Sequence, residues 1–189
     1  ERDYMYSEYA KDRQMRINVG IRRRLAPLLD NNRKVIELAH ALLLTLPGTP
    51  VLYYGDEIGM GDNIYLGDRN GVRTPMHWDS NNNAGFSGAK PSQLYAPVIL
   101  DPEYNYEAVN VASSLSSPSS LYHFVKRLLA ARRTTTVFGS GTLEFLYPEN
   151  KSILVYLRSH EGKTFLCAFN LADTCQAAEI GLQAYAGKT

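Results

Sequence analysis

The sequence predicts an α/β protein in which a helix-and-strand domain precedes a small antiparallel β unit. Apolar residues recur at spacings of three and four across residues 33–46, which is the spacing of one helix face. A continuous apolar and aromatic run follows from Val51 to Tyr54 and is typical of a strand buried on both faces, as in a parallel sheet. Between residues 143 and 169 apolar and polar residues alternate, which indicates antiparallel strands.

The polar segment before the first long helix contains a short helical pattern and a basic run. Tyr6 and Tyr9 lie three residues apart, so we expect a short helix whose aromatic rings pack on a core. Three consecutive arginines, Arg22 to Arg24, are more typical of a solvated or salt-bridged face than of a binding patch.

Clear signals bound the helix predicted over residues 33–46. An asparagine, Asn31 or Asn32, is a favourable N-cap, and Pro47 with Gly48 ends the helix. A helix, a short loop and a buried strand together form half of a βαβ unit.

Two carboxylates stand directly after the strand predicted at residues 51–54. Gly55 ends that strand, and Asp56 and Glu57 follow, in the position where polar groups lie at the mouth of a sheet. Adjacent residues on an extended segment point to opposite sides, so we expect these carboxylates to support the loop rather than to form a catalytic pair. Residues 59–117 then predict a long, ordered loop, because they are rich in glycine and asparagine but also in aromatic residues.

The last third of the chain predicts one more helix and then three or four strands. Ser117 and Pro118 are a favourable N-cap and first-turn pair for that helix. The three alternating segments and a weaker fourth at residues 176–180 predict an antiparallel meander. We therefore expect a first domain at residues 1–134 and a second, all-β domain at residues 135–189.

Composition excludes several classes of protein. With 189 residues and a formal net charge of +1, the chain can bury a core and carries no charge excess for nucleic acid or an anionic membrane. Two cysteines are too few for a disulfide scaffold, and Cys167 lies in an apolar run where a small buried side chain is expected. No signal peptide or membrane span is recognisable, so we expect a cytoplasmic protein. The chain opens on Glu1, which suggests a piece of a longer protein.

The segment from Gly67 to Trp78, with the sequence GDRNGVRTPMHW, concentrates side chains that bind polyhydroxy compounds. It contains carboxylate, guanidinium and aromatic groups. Asp68 and Arg73 can offer an acceptor and a donor to one hydroxyl. From the residues alone, a salt bridge that ties down the loop is an equally good interpretation of Arg73.

Two motifs in this region resemble the α-amylase superfamily of (β/α)8-barrel enzymes. The run GTPVLYYGDEIGM, residues 48–60, is similar to the eighth barrel strand and the loop after it, and VRTPMHW, residues 72–78, is similar to the RTPMQW element of the exo-acting α-glucosidase branch. His77 stands where that branch more usually has glutamine. The resemblance covers residues 1–133, and implies that they are the C-terminal part of a (β/α)8 barrel, followed by a partial C-terminal β domain.

The resemblance implies a retaining transfer of α-glucosyl groups, which interconverts maltose and trehalose without net hydrolysis. One carboxylate forms a glucosyl-enzyme, and a second carboxyl group protonates the leaving oxygen and then acts as base. These groups belong to the fourth and fifth barrel strands, and a third carboxylate belongs to the seventh. The resemblance therefore implies that all three lie upstream of Glu1, that this chain contains no catalytic residue, and that it is inactive in isolation.

For this chain the resemblance implies a substrate-binding role. Arg73 would bind glucose hydroxyls and Asp68 would orient it, with maltose, trehalose and glucose as ligands. We expect no cofactor or metal in this chain; a structural calcium ion in the full-length protein and a homo-oligomer both stay open. Two alternatives also stay open: a fragment of a hydrolytic α-glucosidase, and a non-catalytic carbohydrate-binding homologue on the same barrel.

Overall fold

In the computed structural model, which describes residues 1–182 and 185, the chain divides into two compact units. Unit 1 comprises Glu1–Ala39 and Val51–Arg127, and unit 2 comprises His40–Pro50 and Leu128–Thr189. The remaining residues of the predicted second domain, 183, 184 and 186–189, lie outside the described part of the chain.

The described residues form short and long helices and two small sheets. The α-helices are α1 (Arg2–Tyr9), α2 (Leu25–Leu28), α3 (Arg33–Thr45), α4 (Val111–Ser116), α5 (Leu121–Arg133) and α6 (Val137–Ser140). The strands are β1 (Arg16–Ile17), β2 (Gly20–Ile21), β3 (Thr142–Leu146), β4 (Ile153–His160) and β5 (Lys163–Asn170). Single turns of 3₁₀ helix lie at Arg13–Met15, Asp56–Ile58, Asn70–Val72, Asn82–Gly85 and Pro91–Gln93. Among the described residues, no helix combines the length and apolar character that a membrane span requires.

Helix α3 confirms the helix predicted over residues 33–46. The side-chain oxygen of Asn32 accepts hydrogen bonds from the backbone N–H groups of Lys34 at 3.1 Å and Val35 at 3.4 Å, which identifies Asn32 as the cap. Gly48, with φ of 106°, follows the end of the helix in a conformation that favours glycine.

Helix α5 confirms the second predicted helix, but the predicted cap is wrong. Ser120, rather than Ser117, accepts a hydrogen bond from the backbone N–H of His123 at 3.4 Å. The segment before it contains α4, a helix that the sequence pattern did not predict. Asn110 caps α4 by accepting from the backbone N–H of Ser113 at 2.8 Å.

The strand predicted at residues 51–54 is wrong for the described structure. The sheets in the described residues are the pair β1–β2 and the set β3–β4–β5, so no strand lies beside this segment. Val51 is 80% exposed instead of buried on both faces. An apolar pattern marks a segment that suits a sheet, but only a neighbouring strand can supply the hydrogen-bond ladder that makes it one.

The sheet of unit 2 confirms the predicted antiparallel meander. Strands β3, β4 and β5 pair in that order, with Tyr156 opposite Cys167 across the second pair. Glu161 and Gly162 connect β4 to β5, and their φ values of 49° and 78° belong to a two-residue hairpin turn with both residues left-handed.

The core of unit 2 lies on one face of that sheet. Phe138, Tyr156 and Cys167 form its centre, and Leu42 and Leu46 pack against them. The prediction that Cys167 is a small buried side chain is confirmed, since it is 8% exposed and burial raises the pKa of its thiol.

A buried arginine ties this core together. Arg158 is fully buried in β4, and its guanidinium group donates to the backbone carbonyl groups of Val137 at 3.1 Å, Phe138 at 3.1 Å and Gly141 at 3.0 Å. It also donates to the carbonyl groups of Thr45 and Thr142. Burial lowers the pKa of Arg158 from its usual value, and the carbonyl oxygens compensate for the water that the cation has lost.

Two smaller expectations are wrong. Residues 176–180 form no strand, and Asn150 instead holds this segment by donating to Gln176 at 3.0 Å and to the carbonyl of Ala177 at 2.9 Å. Helix α1 buries none of its residues, so its tyrosines do not pack on a core.

Candidate functional site

Unit 1 contains a pocket that collects Arg73 and the polar residues after the Val51–Tyr54 segment. Its volume is about 470 Å³, within the usual range for small-molecule sites. The lining residues are Tyr54, Glu57, Arg73, Thr74, Pro75, Met76, Trp78, Phe86, Leu94, Tyr95 and Ala96. Charged groups thus meet aromatic and aliphatic groups in one concave surface, as recognition of a polar molecule with apolar faces requires.

A turn bounded by two glycines places Glu57 in the pocket. Gly55 and Gly59 both have left-handed backbones, with φ of 87° and 74°, and enclose the 3₁₀ turn Asp56–Ile58. A Cβ at Gly55 would lie 2.6 Å from the sulfur of Met60, a side chain with no exposed surface. The close approach therefore depends on glycine, and the turn rests on the buried cluster that contains Met60.

Tyr54 connects this turn to the segment that carries Arg73. Its hydroxyl donates a 2.8 Å hydrogen bond to the backbone carbonyl of Thr74, and Thr74 is only 1% exposed. Burial is the largest cause of the raised pKa of Tyr54, so the phenol stays protonated and remains a donor near neutral pH. Arg73 is exposed beside this bond and lines the pocket together with Glu57.

The aromatic side of the pocket depends on a tight loop after Trp78. Backbone N–H groups of Trp78 and Asp79 both bond to the carbonyl of Ala84, at 2.8 and 3.2 Å. The buried amide of Asn83 donates to the carbonyl groups of Ser87 at 2.9 Å and Ala89 at 2.7 Å. These bonds fold the chain back so that residue 86, a half-exposed phenylalanine, reaches the pocket.

Ala84 in that loop has a left-handed backbone although it is not glycine, with φ of 59°. Such a conformation is unfavourable for an alanine and persists only where the surroundings impose it. The strain lies directly before Gly85 and Phe86, at the edge of the pocket, which favours a functional role for this loop over a passive connection.

Asp68 lies elsewhere in the same unit. It is exposed, its backbone is left-handed with φ of 51°, and it is not among the residues that line the pocket. Its backbone carbonyl, with those of Ile64 and Leu66, accepts from the guanidinium of Arg22. The structure thus brings Arg73 to the pocket and does not bring the Asp68 carboxylate there, and the roles of both stay predictions.

The role of Arg24 is not apparent from the sequence. Arg23 fits the predicted salt-bridged face, since it pairs with Asp62 at 2.9 Å, but Arg24 is 2% exposed and packs against Tyr54, a residue that lines the pocket. Its guanidinium carbon lies 4.5 Å from the centre of the Tyr54 ring, and one terminal nitrogen donates to the Tyr54 carbonyl. The run of three arginines could not reveal this, because burial of the third depends on what packs over it.

His77, whose role the sequence left open, is a buried structural group. It has no exposed surface, and its Nδ1 lies 2.9 Å from the carbonyl of Val109. A carbonyl can only accept, so Nδ1 carries the proton and Nε2 is the unprotonated nitrogen. Burial is the largest cause of its lowered pKa, so the imidazole is neutral at pH 7.

No cluster of three or more metal-ligating side chains occurs within residues 1–182 and 185. A structural calcium ion in the full-length protein stays an open question.

Comparison with known proteins places this geometry in a family. Residues 21–141, more than half of the chain, match the family model described as the alpha amylase catalytic domain. The chain belongs to the α-amylase family. Residues 143–189 match the model of the maltogenic amylase C-terminal domain.

The sequence relatives are longer than this chain. The trehalose synthase of Pimelobacter sp. is 54% identical, covering 100% of this chain and 34% of that protein. The trehalose synthase/amylase TreS of Mycobacterium tuberculosis is 55% identical, covering 100% of this chain and 32% of that protein. The chain thus spans about a third of the length of these curated relatives.

A solved α-amylase-family structure supports the fold. The trehalulose synthase MutB from Pseudomonas mesoacidophila superposes with a TM-score of 0.64 at 26% identity, covering 81% of this chain and 34% of that one. The predicted fold class is therefore confirmed: the chain contains part of a (β/α)8 barrel followed by a C-terminal β domain. In such a barrel every strand has a neighbour on each side, and the described residues supply none for the Val51–Tyr54 segment.

Proposed function

We propose that this chain forms one wall of the glucose pocket of a retaining α-glucosyl transferase that interconverts maltose and trehalose. The observation that carries the proposal is that Arg73 and Glu57 share a pocket with Trp78 and Phe86. The names of the relatives, trehalose synthase and trehalose synthase/amylase, support this choice of reaction.

The pocket offers both kinds of contact that a glucosyl group needs. The Arg73 guanidinium can donate to two neighbouring hydroxyls, and the Glu57 carboxylate can accept from them. The rings of Trp78 and Phe86, about half exposed at 50% and 51%, present apolar faces to the C–H side of a sugar. Polar groups then fix the orientation of the ring while the aromatic faces supply buried area.

The proposed reaction needs a nucleophile and an acid/base, and we do not assign either role to a residue of this pocket. A retaining transfer needs two carboxyl groups about 5–5.5 Å apart, one on each side of the reacting bond. Glu57 and Asp56 are neighbours on one 3₁₀ turn, and we assign them to binding and support. The proposal places the nucleophile and the acid/base in the part of the relatives that this chain does not span.

Whether glucose is transferred or released depends on water. The glucosyl-enzyme forms in the first step and gives up its glucosyl group in the second. If water is excluded between these steps, the glucosyl group is transferred back to the released glucose. If water is admitted, the glucosyl-enzyme is hydrolysed. The word amylase in the name of the M. tuberculosis relative favours hydrolysis as a second activity of the same site.

The proposal is tested in the full-length gene product with Arg73→Ala and a matched control, Arg69→Ala. Arg69 is exposed in the same segment and does not line the pocket. Trehalose and free glucose formed from maltose are measured separately. Loss of one charge-assisted hydrogen bond predicts a fall in kcat/KM of roughly 10- to 150-fold for Arg73→Ala and little change for the control.

Four outcomes decide the result. Trehalose formation with the stated loss supports the transferase, and glucose as the sole product supports the hydrolytic alternative. Equal activity of the two variants refutes the binding role of Arg73, and a full-length product without activity on maltose supports the non-catalytic homologue.

A further inference from the structure

We propose that Arg24 binds a buried carboxylate. Nε and Nη2, on one edge of its guanidinium group, would donate to the two carboxylate oxygens. This site lies beside Tyr54, which lines the pocket, and Arg24 itself is not among the lining residues. The inference concerns how the pocket wall is held in place, and it stands or fails independently of the reaction assigned to the pocket.

The first observation is that the guanidinium is enclosed but only partly bonded. Arg24 is 2% exposed, and its side chain has no exposed surface. Nη1 donates to the carbonyl of Tyr54. Nε and Nη2 are buried and have no hydrogen-bond partner within the described residues.

The second observation is the geometry of the two unused nitrogens. The N–H bonds of Nε and Nη2 run side by side along one edge of the planar guanidinium. That edge matches the two oxygens of a carboxylate, which can accept both bonds at once, whereas one water or one carbonyl oxygen cannot fill it equally well. An unused fork of this kind indicates a planar anionic ligand.

The contacts that Arg24 does make leave this edge unsatisfied. The rings of Tyr54 and Tyr53, at 4.5 and 5.0 Å from the guanidinium carbon, favour the positive charge, but neither tyrosine hydroxyl is a hydrogen-bond partner of Nε or Nη2. Asp56 is nearest through Nη1, at 3.9 Å, and not through the edge in question. Burying a cation with two unbonded N–H groups, on Nε and Nη2, destabilises the folded state, because water that would otherwise hydrate these groups has been removed.

Further buried polar atoms belong to the same region. Thr74 Oγ1 and His77 Nε2 are buried without a hydrogen-bond partner in the described part of the chain. Arg24 is close enough to His77 that its charge contributes to lowering the pKa of the imidazole. Unsatisfied atoms are rare in folded proteins. Of these atoms, the two Arg24 nitrogens and the Thr74 hydroxyl can donate to a carboxylate, whereas Nε2 of His77 is an acceptor and does not bear on the identity of the missing group.

A carboxylate at this position would stabilise the pocket wall from behind. Nη1 of Arg24 holds the Tyr54 carbonyl, and the Tyr54 hydroxyl holds the Thr74 carbonyl next to Arg73. Fixing the guanidinium therefore restricts both the turn that carries Glu57 and the segment that carries Arg73. Arg24 is accordingly a positioning residue, acting through Tyr54.

The carboxylate has two conceivable sources with the same chemistry. It can be an Asp or Glu side chain from the part of the relatives that this chain does not span, or a small free carboxylate. The first test is a crystal structure of the full-length gene product grown without carboxylate buffers. We expect two oxygens of one protein carboxylate at about 2.7–2.9 Å from Nε and Nη2 of Arg24.

The second test uses the 189-residue chain and formate as the probe. The Nε–H resonance of Arg24 is followed by ¹H–¹⁵N NMR while formate replaces chloride at constant ionic strength. We expect a saturable downfield shift and a rise in Tm in formate. Arg24→Lys keeps the charge but loses the fork, so its Tm should not respond to formate, whereas the control Arg33→Lys, an exposed helix position, should behave like the natural chain.

The two tests distinguish a protein carboxylate from a free carboxylate, and together they can overturn the proposal. A protein carboxylate on the fork in the crystal supports the side-chain source, and a fork that is vacant there but takes formate supports the free ligand. The proposal is overturned if water or backbone carbonyl groups fill the fork in the crystal and formate acts no differently from chloride. If the carboxylate is a protein side chain, Arg24→Lys should also lower kcat/KM of the full-length product. The control Arg33→Lys should leave kcat/KM unchanged.

Discussion

The hydroxyl of Tyr54 donates a 2.8 Å hydrogen bond to the backbone carbonyl of Thr74. This single bond joins two segments that are 20 residues apart and that carry Glu57 and Arg73 into one pocket. The pocket therefore depends on a tyrosine that the sequence presents only as part of an apolar run.

Removal of that hydroxyl tests the connection. Tyr54→Phe keeps the ring that Arg24 packs against but leaves the Thr74 carbonyl without its donor. We expect a loss of about 1 kcal/mol in the free energy of unfolding, as for a typical hydrogen bond. Urea unfolding followed by the fluorescence of Trp78, the single tryptophan, measures it.

Tyr95→Phe provides the control, since Tyr95 is 92% exposed and also lines the pocket. An equal effect of the two substitutions on unfolding would show that the hydroxyl of Tyr54 does not connect the two segments.

Arg158 should be essential for unit 2. Arg158→Met removes the donor to five backbone carbonyl groups and leaves them buried, so we expect a loss of roughly 3 kcal/mol or more. The measurement is hydrogen exchange of the β4 amides. Arg133→Met, at an exposed position of α5, should leave their protection unchanged, and similar losses in both variants would contradict the structural role.

His77 should make unit 1 sensitive to acid. Burial lowers its pKa in the folded chain below the ordinary histidine value of 6.5, so the folded state disfavours the protonated imidazole. Stability is then fully present above about pH 6.5 and is lost as the pH falls towards the lower pKa of the folded state.

Urea unfolding at several pH values measures this dependence, and His77→Gln should flatten it because glutamine does not titrate. If the natural chain and the variant lose stability in parallel below pH 6.5, another group is responsible.

Gly85 should be needed to present Phe86. Its φ is 67°, and a Cβ would lie 2.6 Å from a carboxylate oxygen of Asp79. Gly85→Ala should therefore cost about 1–2 kcal/mol from the left-handed backbone alone and shift the loop. Gly88→Ala is the matched control, because nothing lies within 4 Å of the added methyl group there. Indistinguishable fluorescence spectra and stabilities of the two variants would contradict this account.

Local sequence patterns predicted the helices and strands correctly where residues close in the sequence decide the structure. Helices α3 and α5 follow from apolar spacing, and the three strands of unit 2 follow from alternation, since each strand pairs with the next one along the chain. The prediction failed at residues 51–54, because a strand there needs partners that the described residues do not contain. It also failed to find α4, whose six residues carry too few apolar positions for a helical pattern.

The candidate site divides in the same way. Arg73 was found from its motif and does line the pocket, whereas Asp68, chosen from the same motif, lies apart from it. The importance of Arg24 and Arg158 could not be predicted, because an arginine that bonds to backbone carbonyl groups leaves no partner side chain to recognise in the sequence.

By itself, the sequence determined the family motifs, the two long helices, the order of the β meander and the chemical types of side chain available for binding a sugar. Only the tertiary structure decided which of these side chains share a pocket and which arginines are buried. The physical reason is that periodicity reports contacts between near neighbours, whereas burial and hydrogen bonding to distant carbonyl groups depend on segments that the chain brings together only when it folds.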